Sequence, residues 1–244
     1  MKILLIHLGT QSECFIATSL IKGLKKAYND ADIYCVVKNT ETESIFKYNK
    51  NIKKTYTIKN VPVEFTRMHF DKVINLHPDF STEEHFDPKS TEKLGFDFGE
   101  GTAKIYGFLY ERKKTNKNIF QLYYRLAGLK WRGEGYSFSY YPKARTKKYT
   151  TGIAVVNANL KSYVVDKLKL DLSKIWNIPY KKNIHKKLDE INRCPSIVTD
   201  DFFTLNLALY LRKNVYFLET APINMQIELF GSGKIFKVPL EIVR

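Results

Sequence analysis

Apolar residues fall into a few short unbroken runs and a few stretches with helical spacing. Residues 3–6 are wholly apolar and the run stops at Gly9, as a strand buried on both faces does. After a polar loop, Phe15, Ile16, Leu20, Ile21, Leu24 and Ala27 recur at the spacing of one helix face, with Lys22, Lys25 and Lys26 opposite. Residues 33–37 form a second apolar run. Strand, loop, helix and strand in this order predict a right-handed crossover that opens an α/β sheet. Such sheets bind ligands at the carboxyl ends of their strands, which puts candidate chemistry in the loop carrying Ser12 and Glu13.

Further along, residues 54–63 are strand-like but broken by Asn60 and Pro62, and 72–76 read as a buried strand ending at His77-Pro78. His77 is either a site-lining or a packing histidine. Residues 80–93 are polar and acidic and read as a solvated loop. Residues 118–129 predict a helix closed by Gly128, and 136–141 alternate aromatic and serine residues as a half-buried strand does. The basic run 143–148 is the linker candidate between a first domain, 1–142, and a second, 150–244. In the second, residues 152–156 predict a strand, and Ile184, Leu188 and Ile191 mark one side of an amphipathic helix. A strand at 197–199, the acidic turn Asp200-Asp201, a helix at 204–211, a strand at 215–218 and a short helix at 225–230 complete the pattern. Strand, acidic turn, helix and strand repeat the opening architecture, and two such units facing each other would make a cleft.

Composition narrows the partners. Hydrophobic residues make up 44% of the 244 residues and aromatic ones 14%, enough for a packed core and against disorder. Three cysteines, odd in number and without CxxC spacing, predict reduced thiols in a cytoplasmic protein, with neither a disulfide framework nor a zinc site. No secretory signal and no apolar run of membrane-spanning length stands out. The net charge of +15 is uneven: residues 101–193 hold 21 Lys/Arg against 6 Asp/Glu, while the rest is balanced at 19 of each. This is either a solvated lysine-rich surface or a basic face for a phosphorylated acceptor, an anionic membrane surface or nucleic acid. Tyr123, Tyr124, Trp131 and Tyr136 sit in apolar patterns and read as core, so a nucleic-acid stacking platform is not expected.

Two acidic turns stand at strand–helix junctions, one with Glu13 and one with Asp200 and Asp201. A carboxylate there can be a helix cap, or it can work: Glu13 as a general base, and the Asp200-Asp201 turn as a source of backbone N–H groups for a phosphate. The first strand is not followed by GxGxxG, and no GxxxxGK[ST], HExxH or GxSxG pattern occurs. Gly231-Ser232-Gly233-Lys234 lacks the context of a phosphate loop.

The opening resembles the heptosyltransferase family, the family 9 glycosyltransferases, whose chains begin with a strand, an LGxxGD-type loop and a helix with a TPLL-like segment. Here these features read Leu8-Gly9-Thr10-Gln11-Ser12-Glu13 and Ala17-Thr18-Ser19-Leu20-Ile21. That family's second signature, NDTGPMHLAAALGKPVVALFG-like, is matched by residues 199–219, and Lys174-Ile175-Trp176 partly resembles its KRWP segment. The resemblance implies a GT-B-like fold: two Rossmann-like units facing across a cleft, here with the second unit reduced, since the chain is about 100 residues short of two full domains. It further implies an inverting, metal-independent transfer of a sugar from an ADP-type nucleotide sugar to a glycan or lipopolysaccharide-type acceptor, with no cofactor. On that reading the anionic or lipid-linked acceptor, or the inner membrane face carrying it, docks on the basic middle of the chain. The base falls on Glu13 and the donor-site aspartate on Asp201. Donor phosphate contacts fall around Gly9, Thr10 and Ser12, with Asp200 and Asn206 beside the donor. Apart from the resemblance, Lys161 is a candidate to stabilise the departing diphosphate because it follows the first strand of the second half. The chain departs from the pattern in Glu13 for aspartate, Phe202-Phe203 for Thr/Ser-Gly, and Asn206 for histidine. Those departures keep open a second reading, a non-catalytic member that binds a glycan or a partner.

Overall fold

The computed structural model describes residues 1–76, 119–140, 149–154, 165–169, 171–181, 183–219 and 235–239. The chain divides into two compact units, and the division falls between Ser139 and Tyr140. Both are α/β, and among the described residues every strand pairing is parallel.

The first unit is built on β1 (Lys2–His7), β2 (Asp32–Val37), β3 (Lys54–Thr57) and β4 (Lys72–Asn75), in the order β3-β2-β1-β4. β1 and β2 are buried over their last five residues, which is why they read as unbroken apolar runs: helices and loops cover both faces of a parallel sheet. Leu4, Ile6, Tyr34 and Val36 point to one face, where Phe65 of the short α3 (Val63–Thr66) packs on them. Phe65 lies 5.7 Å from the Tyr34 ring, 4.6 Å from Tyr56 and 5.2 Å from Phe70. The alternate residues Ile3, Leu5, Ile33 and Cys35 face the other side. There α1 (Gln11–Ala27) packs against α2 (Thr40–Phe46) and α4 (Ile119–Leu126). The α1–α4 approach depends on Gly23: a Cβ there would lie 2.4 Å from Tyr124 Cε1. The Tyr124 hydroxyl donates to the Ser19 carbonyl at 2.7 Å. Gly128 closes α4 at φ +70°, with Leu129 N–H bonded to the Tyr124 carbonyl, the closure expected from the sequence.

The second unit orders its strands β6-β5-β7-β8-β9: β5 (Thr151–Ala154), β6 (Ile175–Asn177), β7 (Ser196–Thr199), β8 (Asn214–Glu219) and β9 (Ile235–Pro239). Ile153, Val198 and Leu218 form its buried centre on one face, with Val165, Leu168, Ile175 and Tyr216 against them. α5 (Ile184–Ile191) leads into β7 and α6 (Phe202–Tyr210) leads from β7 to β8. In each sheet the strand order reverses beside the first strand, between β1 and β4 and between β5 and β7. These are the points at which an open parallel sheet leaves a crevice for ligands at its carboxyl edge.

Among the described residues one expected element is absent. Residues 136–140 form no strand. Ser137 instead donates its N–H to Thr18 Oγ1 at 3.2 Å, and its carbonyl accepts from Asn49 Nδ2 at 2.6 Å, so side chains replace a ladder. Tyr136 and Phe138 pack on Phe15 with ring centres 4.8 and 5.7 Å away, and the aromatic alternation serves a strap across α1. The strand-like stretch from Lys54 ends at Thr57, giving way to a 3-10 turn, Ile58–Asn60, and then α3. His77, the loop 80–93, the linker 143–148, Lys161, the helix expected at 225–230 and Gly231–Lys234 lie outside the described residues.

Candidate functional site

The β1–α1 loop is positioned from beneath by His7, which is fully buried at the end of β1. The Gly9 N–H donates to His7 Nδ1 at 3.2 Å, so that nitrogen carries the lone pair and Nε2 carries the hydrogen. Nε2 then donates to the Tyr123 hydroxyl of α4, 3.1 Å away. The Cys14 thiol lies 3.3 Å from Nδ1. Burial, and then the neighbouring Glu13 charge, push that thiol well above its usual range, so it stays protonated. A Cys–His contact of this kind packs the loop; it does not supply a nucleophile. His7 escaped the sequence reading, although a polar residue closing an apolar strand just before a glycine loop is a usable signal.

Gly9 is buried, Thr10 exposed and Ser12 half-buried. Thr10 is the N-cap of α1 and forms a capping box with Glu13. Glu13 Oε2 accepts from both the Thr10 N–H and the Thr10 hydroxyl, each at 2.9 Å, while Thr10 Oγ1 accepts from the Glu13 N–H at 3.4 Å. The cap reading of this carboxylate is therefore realised. Among the described residues Oε1 takes no hydrogen bond and is the oxygen left for a proton-transfer role.

In the second unit the end of β7 is tied across the strand-order reversal. The Thr199 hydroxyl, wholly buried, donates to the Ala154 carbonyl at 2.8 Å and accepts the Asp201 N–H at 3.0 Å. Asp201 caps α6: Oδ1 accepts from the Phe203 N–H at 3.2 Å, and Oδ2 from the Thr204 N–H at 2.9 Å and the Thr204 hydroxyl at 2.6 Å. Oδ2 also pairs with Lys187 Nζ at 3.1 Å. Burial opposes the charge on Asp201, but the Lys187 ammonium and the Thr204 bonds outweigh it and hold the carboxyl below its ordinary range. The turn expected to offer N–H groups to a phosphate thus uses those of residues 201, 203 and 204 internally.

Asp200 is half-buried beside this cap, and Asn206 is fully buried, donating from Nδ2 to the Phe202 carbonyl one turn back at 2.7 Å. Phe202 rests on Phe217 with ring centres 5.2 Å apart. Of the expected residues, Gly9, Thr10, Ser12 and Glu13 come together in the first unit, and Asp200, Asp201 and Asn206 in the second. Lys187 is the member the sequence reading missed. Its signal is a charge inside an apolar stripe, three residues after Ile184 and four before Ile191. Among the described residues no group of three His, Cys, Asp or Glu side chains is placed to hold a metal ion. Nor is any described helix long and apolar enough to cross a membrane.

No protein-family model and no curated protein matches the sequence. Solved structures do match in fold. The ADP-heptose lipopolysaccharide heptosyltransferase II of E. coli aligns over 98% of this chain and 91% of its own, with a TM-score of 0.67 and 13% identity. A glycosyl transferase of family 9 from Veillonella parvula aligns over 96% and 86%, with a TM-score of 0.59 and 12% identity. The E. coli heptosyltransferase WaaC, in a structure with ADP-2-deoxy-2-fluoro heptose, aligns over 98% and 94%, with a TM-score of 0.56 and 11% identity. At these identities the likeness is one of fold: this chain is an α/β protein with parallel sheets, built as the heptosyltransferases and family 9 glycosyltransferases are.

Proposed function

We propose that the protein is a glycosyltransferase that moves a sugar from a nucleotide-activated donor, of ADP type, to a glycan or lipopolysaccharide-type acceptor. The observation that carries this reading is the fold likeness to heptosyltransferase II, which runs through both units over 98% of the chain. One of the similar structures holds ADP and another a fluorinated ADP-heptose, which supports an ADP-type donor. The reaction is an inverting displacement. The acceptor hydroxyl oxygen attacks the anomeric carbon, the bond from that carbon to the diphosphate oxygen breaks, and the nucleotide diphosphate leaves with the electron pair. Glu13 takes the acceptor's proton, and the Gly9, Thr10 and Ser12 loop contacts the donor phosphates. In the second unit the β7–α6 turn, with Asp200, Asp201 and Asn206, serves the donor. Lys161 adds positive charge toward the leaving diphosphate. The basic stretch 101–193 docks the anionic acceptor or the membrane face that presents it.

The internal use of both caps favours a second reading, a binding protein without turnover. Glu13 is held in its capping box, and three N–H groups of the Asp201 turn are already bonded. A thermal-shift panel of nucleotides and nucleotide sugars, followed by a transfer assay, decides between them. Donor at 100 times its Kd adds about 2.7 kcal/mol, a rise in Tm of roughly 5–10 °C for a chain of this size. A selective rise with turnover supports the transferase. A rise without turnover supports the binding protein, and no rise with any nucleotide overturns the donor assignment.

A further inference from the structure

An ammonium buried inside the apolar stripe of a helix is costly unless a partner meets it. Lys187 is such a group: its side chain is only 9% exposed, on the face of α5 that also buries Ile184 and Ile191. Its Nζ lies 3.1 Å from Asp201 Oδ2 and 4.7 Å from the centre of the Phe203 ring, so one cation grips both the cap and the first turn of α6. Capping alone does not require it. Asp201 already receives two backbone N–H groups and the Thr204 hydroxyl, and the N-caps of α1 and α2 form with local side chains only. The consequence of the extra bond is asymmetric. Among the described residues Oδ2 takes three donors, whereas Oδ1 takes a single one at 3.2 Å and keeps accepting capacity. The Asp201 side chain is 34% exposed while the lysine is covered, so a ligand meets the carboxylate and not the cation.

We infer that Lys187 is a positioning residue, which reaches across from α5 to fix the rotamer and charge of Asp201 so that its second oxygen is presented to the donor. This rests on the donor-side reading of the β7–α6 turn. The groups that bear on Asp201 come from three elements. α5 contributes Lys187, α6 contributes Thr204, and β7 contributes Thr199, whose hydroxyl takes the Asp201 N–H; Asp200 adjoins it in the turn. Removing Lys187 removes the charge that favours the ionised form, so the carboxyl protonates at higher pH.

The test is donor affinity against pH, from 4 to 7.5, for the full-length wild type and for Lys187→Met, Lys187→Arg and Asp201→Asn, using the nucleotide sugar that gives the largest thermal shift. Wild type shows an acid limb of binding that Asp201→Asn abolishes. Lys187→Met weakens donor binding tenfold or more at pH 7 and moves the acid limb upward. Lys187→Arg, which keeps the charge, recovers affinity and limb. A helix-packing role alone would alter Tm without moving the limb. Lys187→Met with wild-type affinity and limb at unchanged fold overturns the inference while leaving the donor reading intact. Should Lys187→Met fail to fold, the other two variants decide: an Asp201→Asn protein that retains the wild-type limb, or a Lys187→Arg protein that binds with wild-type affinity but has lost it, overturns the inference. A wild type that binds no nucleotide or nucleotide sugar overturns the donor reading, and the inference falls with it.

Discussion

Glu13→Gln and Glu13→Ala separate the two jobs assigned to one carboxylate. In the folded chain Oε2 accepts the Thr10 N–H and the Thr10 hydroxyl, both at 2.9 Å, and the charge sits in the first turn of the 17-residue α1. Alanine removes both acceptor contacts and the charge, but leaves the reciprocal bond from the Glu13 N–H to Thr10 Oγ1, which is backbone-donated. Half a capping box contributes about 0.5–1 kcal/mol and a negative charge at an exposed helix start about 0.3–1, so alanine should cost about 1–2 kcal/mol. Glutamine keeps an oxygen that can accept the same two bonds and loses only the charge, a cost of about 0.5 kcal/mol. Catalysis orders the variants differently. If Glu13 removes the acceptor proton, both lose about 100- to 10,000-fold in kcat, while donor affinity stays near wild type. Urea unfolding followed by far-ultraviolet circular dichroism gives the first ordering, and release of nucleotide diphosphate gives the second. Full transfer by Glu13→Gln would refute the base assignment. Wild-type stability of Glu13→Ala would refute the cap.

Two further outcomes test the frame around the site. Gly23→Ala should destabilise by about 1–3 kcal/mol although alanine is the better helix former by about 1, because overpacking against a buried ring exceeds the propensity gain. Its Cβ would stand 2.4 Å from a Tyr124 ring that is 1% exposed and tethered to the Ser19 carbonyl. A more stable Gly23→Ala protein in chemical denaturation would show that α4 yields freely. Acid stability should carry an Asp201 component. The folded carboxyl lies below its ordinary range, so its contribution is complete above the unfolded value of about 3.9 and is lost as pH falls through the folded one. Asp201→Asn should therefore be less stable than wild type at neutral pH and should narrow that gap as pH drops below about 4. Parallel profiles of Tm against pH for the two proteins would contradict the Lys187–Asp201 pairing.

The parts legible in the sequence share one cause, a local pattern: a strand buried on both faces leaves an apolar run, a helix buried on one face leaves a stripe at helical spacing, and a left-handed helix closure calls for glycine. That is how β1, β2 and β7, and the amphipathic stripes of α1, α4 and α5, come into view, and why Gly128 marks a helix end. Helix N-caps are local too, so Glu13 and Asp201 could be placed at helix starts before any fold was known. β6, three residues long, became a strand only by pairing Trp176 with Gly152 of β5, and residues 136–140 lost their expected strand to the side chains of Thr18 and Asn49. The same holds for function. Residue type and spacing nominate Glu13 and Asp201 as carboxylates at strand ends. Only tertiary structure sets His7 between Gly9 and Tyr123, 116 residues apart from the latter, and brings Lys187 onto Asp201 from a different helix. Helix starts, helix stripes and doubly buried strands follow from residues close along the chain, whereas short strands and the state and orientation of a site carboxylate follow from pairings, charges and hydrogen bonds that the chain must fold to bring near.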